Sequence, residues 1–307
     1  MKGSDRSAPA PSADQSDERR ATHWQVRQRR LPLAGRPLLM GILNVTPDSF
    51  SDGGRFSDVA AAVDHAAHLV AVGADILDIG GESTRPYSDP VGAQEELDRV
   101  MPVLERLAPR LDVAFSIDTS KALVARAAIG TGASIINDVT ALQGDAEMIA
   151  TACDTGAGVC VMHMQGTPQT MQDDPTYHDV VQDVFEFLQA RRDELVSAGI
   201  DQGRIALDPG IGFGKGREHN LSLLRNCYRL HELGCPLLVG HSRKGFIGKV
   251  TGDESAEGAI AGTIGVAIAL ANQGVQILRV HDVAAVRQAL LLYEATRRQL
   301  PTANRRK

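Results

Sequence analysis

Short apolar runs recur along the chain from residue 38 onward and alternate with alanine-rich amphipathic stretches. Each run has six to eight residues, is nearly continuous in Ile, Leu and Val, and ends in polar residues or glycine. Continuous apolar runs of this length are typical of strands that are buried on both faces. The pattern therefore predicts eight buried strands, at residues 38–45, 75–81, 113–119, 134–140, 158–164, 205–210, 236–242 and 277–282.

The stretches between these runs have the spacing of amphipathic helices. In the first, Val59, Val63, Ala66 and Val70 fall near the i, i+3, i+4, i+7 positions of one buried stripe. Strands that alternate with helices pair in parallel through crossover connections. Eight such units favour a closed (β/α)8 TIM barrel in a single α/β domain, with an open parallel sheet as the alternative. Helices are predicted at residues 58–72, 94–107, 121–129, 178–198, 218–233, 257–271 and 283–298.

The two ends of the chain lie outside this pattern. Residues 1–28 are polar and contain no apolar segment of the ~7–15 residues that a secretory signal has. We therefore predict a flexible, disordered N-terminal tail at 1–28, a barrel at 29–300 and a C-terminal tail at 301–307.

Composition and charge exclude several classes of protein. The net charge of −6 includes no basic excess that would indicate a nucleic-acid or anionic-membrane partner. No apolar run approaches the ~20 residues that a membrane-spanning helix needs. The four cysteines fit neither a Cys-x-x-Cys motif nor a zinc ribbon, and they are typical of buried thiols in a reducing compartment. We therefore predict a cytoplasmic protein.

Polar side chains lie at or near the C-terminal end of every predicted strand. In a parallel barrel these ends open on one face, where active sites are found. A helix cap would explain one such residue, but eight indicate a shared site because unpaired buried polar groups are costly. The eight residues are Asn44, Asp78, Asp118, Asn137, His163, Asp208, Ser242 and His281.

Six segments of the chain carry specific motifs. They read GILNVTPDSFSDGG (41–54), DIGGESTRP (78–86), SIDTSK (116–121) with IND (136–138), LDPGIGFGK (207–215), GHSRK (240–244) and RVHD (279–282). The glycine-rich run at 210–216 is neither a dinucleotide fingerprint nor a Walker loop. Together, from about residue 38 to 283, the segments resemble the dihydropteroate synthase family of pterin-binding TIM barrels. The resemblance implies a folate-pathway transferase that condenses dihydropterin-methyl diphosphate with 4-aminobenzoate and releases pyrophosphate.

The resemblance also implies which residues bind the pterin. A buried carboxylate can accept two N–H donors from the pyrimidine edge of a pterin, and Asp208 matches the family's residue for this contact. Asp118 and Asn137 match further ring contacts, and Lys244 can donate to the ring carbonyl or a ring nitrogen. Thr84 matches a contact to the diphosphate substrate.

Arg279 and His281 match the residues that hold the diphosphate. They stand two residues apart, so both side chains point to the same side of their strand. The guanidinium supplies a planar fork for phosphate oxygens, and the imidazole adds a donor. The resemblance further implies Mg²⁺, which prefers oxygen ligands, with Asn44 as its protein ligand. Arg279, His281, Lys244 and Asp48 form the predicted catalytic set.

The predicted site for 4-aminobenzoate lies beside the diphosphate. The resemblance assigns to it two loop phenylalanines, the residues after Thr84, and a serine near the start of a late helix. Sulfonamides mimic 4-aminobenzoate, so the resemblance implies a sulfonamide target. These residues are Phe50, Arg85, Pro86, Phe213 and Ser242.

Two other functions fit parts of the pattern. In an aldolase-type barrel Lys244 would form a Schiff base, but the adjacent Arg243 disfavours this. A non-catalytic or methyltetrahydrofolate-binding pterin barrel would share the pterin contacts, although it would not need residues that bind a diphosphate. The resemblance also implies a homodimer through the late helices, one of which, at 257–271, is rich in Ala, Gly and Ile.

Overall fold

The computed structural model describes residues 19–46, 55–84 and 87–297. In these ranges the chain forms an N-terminal hairpin and eight further strands that pair in parallel. The hairpin strands are β1 (His23–Val26) and β2 (Arg29–Pro32). The other strands are β3 (Leu38–Asn44), β4 (Ile76–Gly80), β5 (Ala114–Asp118), β6 (Ile135–Asp138), β7 (Gly158–Met162), β8 (Ile205–Asp208), β9 (Leu238–Val239) and β10 (Ile277–Val280).

The parallel strands form a barrel in which the first strand pairs with the last. Their order is β8-β7-β6-β5-β4-β3-β10-β9, so β3 lies between β4 and β10. The remaining gap is bridged where Leu207 pairs with Leu237 and the Leu207 N–H donates to Pro236 O at 2.9 Å. The predicted (β/α)8 barrel is confirmed.

Nine α-helices lie between the strands in the described residues. Their apolar stripes pack on the outside of the strands; in α2, for example, Val100, Val103, Leu104 and Leu107 are buried. The helices are α1 (Arg55–Ala71), α2 (Ala93–Leu107), α3 (Ala122–Thr131), α4 (Met148–Thr155), α5 (Val180–Ser197), α6 (Arg217–Arg225), α7 (Phe246–Thr251), α8 (Ala256–Asn272) and α9 (Val283–Arg297). Within these ranges, no helix combines the length and the apolar character that crossing a membrane would require.

The helix predicted at 218–233 is interrupted in the structure. The α-helix α6 ends at Arg225, and a 3-10 helix follows at Cys227–Leu233. Asn226 separates them, and its side-chain Nδ2 donates to Ser222 O at 2.8 Å. Asparagine side chains compete in this way with the backbone bonds of a continuing helix. Helices α4 and α7 were not predicted, because they are only 8 and 6 residues long.

The lumen of the barrel has an apolar lower layer and a polar upper layer. Side chains alternate along a strand, so residues two apart face the same side. Each barrel strand contributes one side chain to the lower layer, and these are Met40, Ile76, Ala114, Ile135, Cys160, Ala206, Leu238 and Ile277. Two residues further along six of these strands come the inward-facing Ile42, Asp78, Ser116, Asn137, Asp208 and Arg279. The polar side chains therefore lie directly above a layer of apolar side chains.

The N-terminal hairpin closes the lower end of the barrel. Trp24 is fully buried against the apolar layer, and its Nε1 donates to Arg204 O at 2.9 Å. Val26 packs against Gly158, where a Cβ would come within 2.5 Å of Val26 Cγ1. The prediction of a flexible tail through residue 28 was therefore wrong for the described residues of that segment. Trp24 and Val26 alternate with polar neighbours over only four residues, and so short an alternation in a polar stretch does not by itself predict a buried strand.

We expect Trp24→Ala to destabilise the protein strongly, because it removes a large buried side chain and one hydrogen bond. Truncations of this kind cost about 3–5 kcal/mol of the free energy of unfolding. Urea unfolding followed by circular dichroism measures the loss, with Arg30→Ala in the exposed part of the same hairpin as the control. A loss no larger than that of the control would show that the hairpin does not seal the barrel.

Candidate active site

A cavity of about 1390 Å³ opens at the carboxyl ends of the barrel strands. Eight of the predicted site residues line it, and they come from six of the eight strand ends and the loops that follow. The two other described site residues, Asn137 and Asp208, are buried in the polar layer of the lumen that the cavity opens onto. The lining residues are Asn44, Thr84, Asp118, Phe213, Ser242, Lys244, Arg279 and His281.

Strand register brings Asn44, Asp118 and Asn137 into one hydrogen-bonded row across neighbouring strands. Asn44 on β3 pairs with Gly80 on β4, Gly80 with Asp118 on β5, and Asp118 with Asn137 on β6. Gly80 adds no side chain between Asn44 and Asp118. The register thus makes a row of amide and carboxylate groups along one side of the cavity.

Arg279 crosses the lumen to this row and forms two ion pairs. Its Nε donates to Asp78 Oδ2 at 2.6 Å, and its Nη2 donates to Asp118 Oδ2 at 2.7 Å. Asn137 Nδ2 donates to the same Asp78 oxygen at 3.0 Å. Burial alone would lower the pKa of Arg279, but Asp78 and Asp118 outweigh it and raise the pKa on balance. The guanidinium is therefore charged and fixed in place.

Asp78 is a site residue to which the sequence pattern gave no role beyond a polar position near a strand end. The structure shows that it is fully buried and joins Arg279 to Asn137, while its second oxygen, Oδ1, has no hydrogen-bond partner among the described residues. The sequence signal that could have identified Asp78 was a carboxylate at an inward-facing position of an otherwise apolar strand.

Burial raises the pKa of Asp118 to about 7. Arg279 acts in the opposite direction, and the carboxylates of Asp78, Glu96 and Asp138 add to the rise. A carboxyl group with such a pKa can change its protonation when a ligand adds or removes charge nearby.

Asp208 and Lys244 form the opposite side of the site. Asp208 Oδ1 accepts a hydrogen bond from Gly210 N at 2.7 Å. Burial raises the pKa of this carboxyl to about 6, against the lowering effects of the Gly210 N–H and Lys244. Burial, reinforced by Arg279, lowers the pKa of Lys244 to about 8, while Asp208 and Asp118 act to raise it. The Lys244 ammonium lies 4.1 Å from the ring centroid of Phe213.

A left-handed turn at Arg243 brings both of its neighbours to the cavity. Its φ of 54° is unusual for a residue with a side chain. The turn is held by a bidentate pair, because Arg243 Nε and Nη2 lie 2.9 and 2.5 Å from the two oxygens of Asp282. Ser242 and Lys244 consequently both line the cavity.

Ser242 contacts His281 within the site. Its Oγ accepts from His281 N at 3.2 Å and lies 3.1 Å from His281 Nδ1. Burial, with contributions from Arg279 and Arg243, lowers the pKa of His281 to about 4. The imidazole is therefore neutral near pH 7 and offers one N–H rather than a positive charge.

A partly buried ion cluster holds the loop that carries Thr84. Lys121 Nζ lies 2.6 Å from Glu82 Oε2 and 2.6 Å from Glu96 Oε2. The other oxygen of Glu82 accepts from Val91 N at 2.9 Å, which joins the start of the loop to its end. Glu82 and Lys121 stand within the specific motifs of the sequence, but neither was assigned a role there.

Four predicted site residues lie outside the described residues, namely Asp48, Phe50, Arg85 and Pro86. The structure therefore does not test their roles. Across residues 19–46, 55–84 and 87–297, no group of three or more His, Cys, Asp or Glu is arranged to hold a metal ion. Asn44 borders the cavity, so its amide oxygen is available to an ion that takes its other ligands from substrate and water.

Comparisons with known proteins agree with this site. The family model described as "Pterin binding enzyme" matches residues 40–281. The dihydropteroate synthase of Haemophilus influenzae is 47% identical over 260 residues, which cover 85% of this chain and 94% of the relative. The chain belongs to the dihydropteroate synthase family. It is accordingly a transferase of folate biosynthesis, and the family and enzyme class predicted from the sequence are confirmed.

Two solved structures of this family are closely similar. Dihydropteroate synthase from Xanthomonas albilineans, solved with 4-aminobenzoic acid, has a TM-score of 0.85 and 46% identity, covering 92% of this chain and 100% of its own. The Yersinia pestis enzyme, solved as a sulfonamide drug complex, has a TM-score of 0.84 and 46% identity, covering 90% of this chain and 99% of its own.

Proposed function

We propose that the described residues divide the family's reaction between a pterin-binding half and a diphosphate-binding half of one cavity. The reaction condenses (7,8-dihydropterin-6-yl)methyl diphosphate with 4-aminobenzoate and yields 7,8-dihydropteroate and pyrophosphate. The observation that carries the proposal is the arrangement around Arg279. Its guanidinium is paired with Asp78 and Asp118, and it lines the same cavity as Ser242 and His281.

The pterin ring is bound in the polar layer. Asp208 accepts hydrogen bonds from two adjacent N–H groups of the pyrimidine edge, because its buried carboxylate has lone pairs beyond the one that Gly210 uses. Asn137 and Asp118 contact the ring from neighbouring strands, and Lys244 donates to its carbonyl or a ring nitrogen. The dry layer below strengthens each of these bonds, since it excludes competing water.

The diphosphate is bound above the ring. A guanidinium has five N–H donors, and the contacts to Asp78 and Asp118 use two of them. The remaining donors of Arg279 are available to phosphate oxygens, with further contacts from the neutral His281 and from Thr84. A diphosphate brings negative charge to His281, so binding raises the pKa of that imidazole toward its ordinary value.

We further propose that Mg²⁺ binds with the diphosphate and that Asn44 is its protein ligand. The residues fit such an ion, because one amide oxygen at the cavity suits a cation that keeps several waters and substrate oxygens. When bound, the ion would offset the charge of the leaving diphosphate.

In the reaction, the bond between the pterin methylene carbon and the diphosphate oxygen breaks, and the amine nitrogen forms the new C–N bond. Arg279 and His281 stabilise the charge that develops on the departing oxygen. An aromatic amine is neutral at pH 7, so its nitrogen attacks without a strong general base, and it releases one proton afterwards. The 4-aminobenzoate that supplies this nitrogen binds beside Phe213, Lys244 and Ser242. The Xanthomonas relative solved with 4-aminobenzoic acid supports this choice of second substrate.

The roles of Asp48, Phe50, Arg85 and Pro86 stay predictions of the family resemblance. Asp48 is assigned to stabilising the pterin cation, and the others to the aminobenzoate site. The sulfonamide complex of the Yersinia relative supports inhibition of this chain by the same class of compound. A cytoplasmic location likewise stays a prediction.

A pyrophosphate-release assay with the purified chain tests the proposed function. We expect release that requires the pterin diphosphate, 4-aminobenzoate and Mg²⁺ together, that is abolished by EDTA, and that returns when Mg²⁺ is added back. Release without 4-aminobenzoate would indicate hydrolysis of the diphosphate instead. Full activity in EDTA would contradict the metal proposal alone.

We expect Arg279→Ala to lower kcat by about 10²–10³-fold, because it removes a donor that stabilises the leaving group. Calorimetric binding of a pterin that lacks the diphosphate should change much less. Arg279→Lys keeps the positive charge but lacks the planar guanidinium that can bind two oxygens at once, so it should recover part of the lost kcat. Equal losses in turnover and in binding of that pterin would contradict the leaving-group role.

We also propose a homodimer through α8 and α9. These helices pack together late in the chain, α8 is rich in Ala, Gly and Ile, and α9 exposes Leu291 and Leu292 to 46% and 67%. Sedimentation velocity at micromolar concentration should give twice the chain mass of 32.8 kDa. Substituting Leu292 by Glu should shift the protein toward the monomer, whereas a wild type that sediments as a monomer would contradict the proposal.

A further inference from the structure

The loop between β8 and α6 (residues 209–216, the glycine loop) contains a buried lysine to which the proposed mechanism gives no role. Lys215 is 2% exposed, and its Nζ is bonded to three acceptors. These are His163 Nδ1 at 2.9 Å, His163 O at 3.2 Å and Phe213 O at 2.8 Å. An ammonium group has three N–H donors. Lys215 borders the cavity, but its Nζ directs its hydrogen bonds to the protein, so it acts on the loop rather than on a substrate.

The buried ammonium carries an energetic cost. Burial, together with nearby Lys244, lowers the pKa of Lys215 to about 7, while Asp208 acts to raise it. None of its three hydrogen-bond partners carries a negative charge, so the cost is offset by these hydrogen bonds together with the attraction of the nearby Asp208. The three short contacts indicate that the position of the acceptors matters.

His163 anchors this arrangement to the barrel. It follows β7 directly, and its ring makes an edge-to-face contact with Phe187 at 4.9 Å between centroids. Burial, and then the charge of Lys215, lower the pKa of His163 to about 3, so the ring is neutral and its Nδ1 accepts a hydrogen bond from the Lys215 ammonium. Lys215 thus connects the glycine loop to a rigid strand end.

The glycine loop lies tightly against the His163 segment. A Cβ on Gly210 would lie 1.9 Å from His163 O, and one on Gly214 would lie 2.4 Å from Gln165 O. Both glycines have positive φ, 68° and 62°. Only residues without a side chain permit this approach, which brings the Lys215 ammonium within reach of the His163 carbonyl.

The part of the loop that Lys215 holds includes Phe213. The Phe213 carbonyl is bonded to Lys215, and its ring lies between the Lys244 ammonium on one side and the Met162 and Met171 side chains of its apolar cluster. The orientation of this ring therefore depends on the peptide that Lys215 fixes.

We propose that Lys215 is a positioning residue for the second substrate: by holding the Phe213 peptide against the end of β7, it fixes the Phe213 ring under Lys244 at the aminobenzoate side of the cavity. This inference rests on the proposed function, which places 4-aminobenzoate beside Phe213 and Lys244. It adds a residue that sets the affinity for 4-aminobenzoate without contacting it.

Steady-state kinetics of Lys215→Met tests the inference. Methionine preserves most of the side-chain volume but donates no hydrogen bond, so the Phe213 carbonyl loses the hydrogen bond that Lys215 donates to it. We expect the KM for 4-aminobenzoate to rise about tenfold, because small displacements of a binding group have effects of this order. The KM for the pterin diphosphate should change less than about twofold, since Lys215 makes no hydrogen bond to the side chains that bind the ring and acts on Asp208 only through its charge.

Arg191→Met is the matched control for a merely structural effect. Arg191 is also a buried cation, 3% exposed, that donates to two backbone carbonyls, Ala141 O at 2.5 Å and Leu142 O at 3.0 Å. It does not line the cavity. We expect both variants to lose thermal stability but only Lys215→Met to separate the two KM values. Loss of kcat without that separation would overturn the inference.

His163→Phe provides a second measurement if Lys215→Met does not fold. It keeps an aromatic ring against Phe187 and removes only the Nδ1 acceptor. The lysine then retains its two carbonyl partners, so we expect a smaller shift, about threefold, in the KM for 4-aminobenzoate alone. An unchanged KM would count against the inference. A wild type that releases no pyrophosphate would contradict the proposed function itself, which separates the two failures.

Discussion

The site depends on one interaction, the pairing of Arg279 with Asp78 and Asp118 inside the barrel. A guanidinium buried without partners would be strongly destabilising, and so would two adjacent carboxylates without a cation. Because the three groups come from β10, β4 and β5, the pairing requires β3 to be paired with both β4 and β10. Pairing of the first barrel strand with the last therefore also assembles this part of the site.

The low polarity of the barrel floor determines how strong that interaction is. Eight apolar side chains and Trp24 exclude water from below, so charges in the layer above interact through a medium of low dielectric constant. The raised pKa values of Asp118 and Asp208 and the lowered pKa values of Lys244 and His281 have the same cause. Under the proposed function, an incoming diphosphate would meet a fixed cation and a neutral imidazole whose charge its own binding can alter.

The sequence was sufficient to predict the elements that repeat. Strands appear as continuous apolar runs and helices as stripes with a period of 3.6 residues, and the polar residues at the strand ends correctly predicted a shared cavity at the mouth of the barrel. Features with no sustained period were missed. Trp24 and Val26 alternate over only four residues, and Asp78 and Lys215 have partners far away in the sequence, Arg279 and His163, so only the folded barrel shows what these residues do. Which of these side chains meet depends on the strand register, and the register is set by the pairing of the whole sheet.

The glycine loop has a consequence for inhibitors of this enzyme family. Where a cavity wall consists of side chains, substitution can reshape it and weaken a drug while the fold persists. At Gly210 and Gly214 any side chain would collide with the main chain of the neighbouring segment. These two glycines do not line the cavity, but they fix the backbone that carries the lining residues Gly212, Phe213 and Lys215. A compound bound against that backbone contacts a wall whose course substitution at Gly210 or Gly214 can hardly alter, so escape from it would have to arise elsewhere.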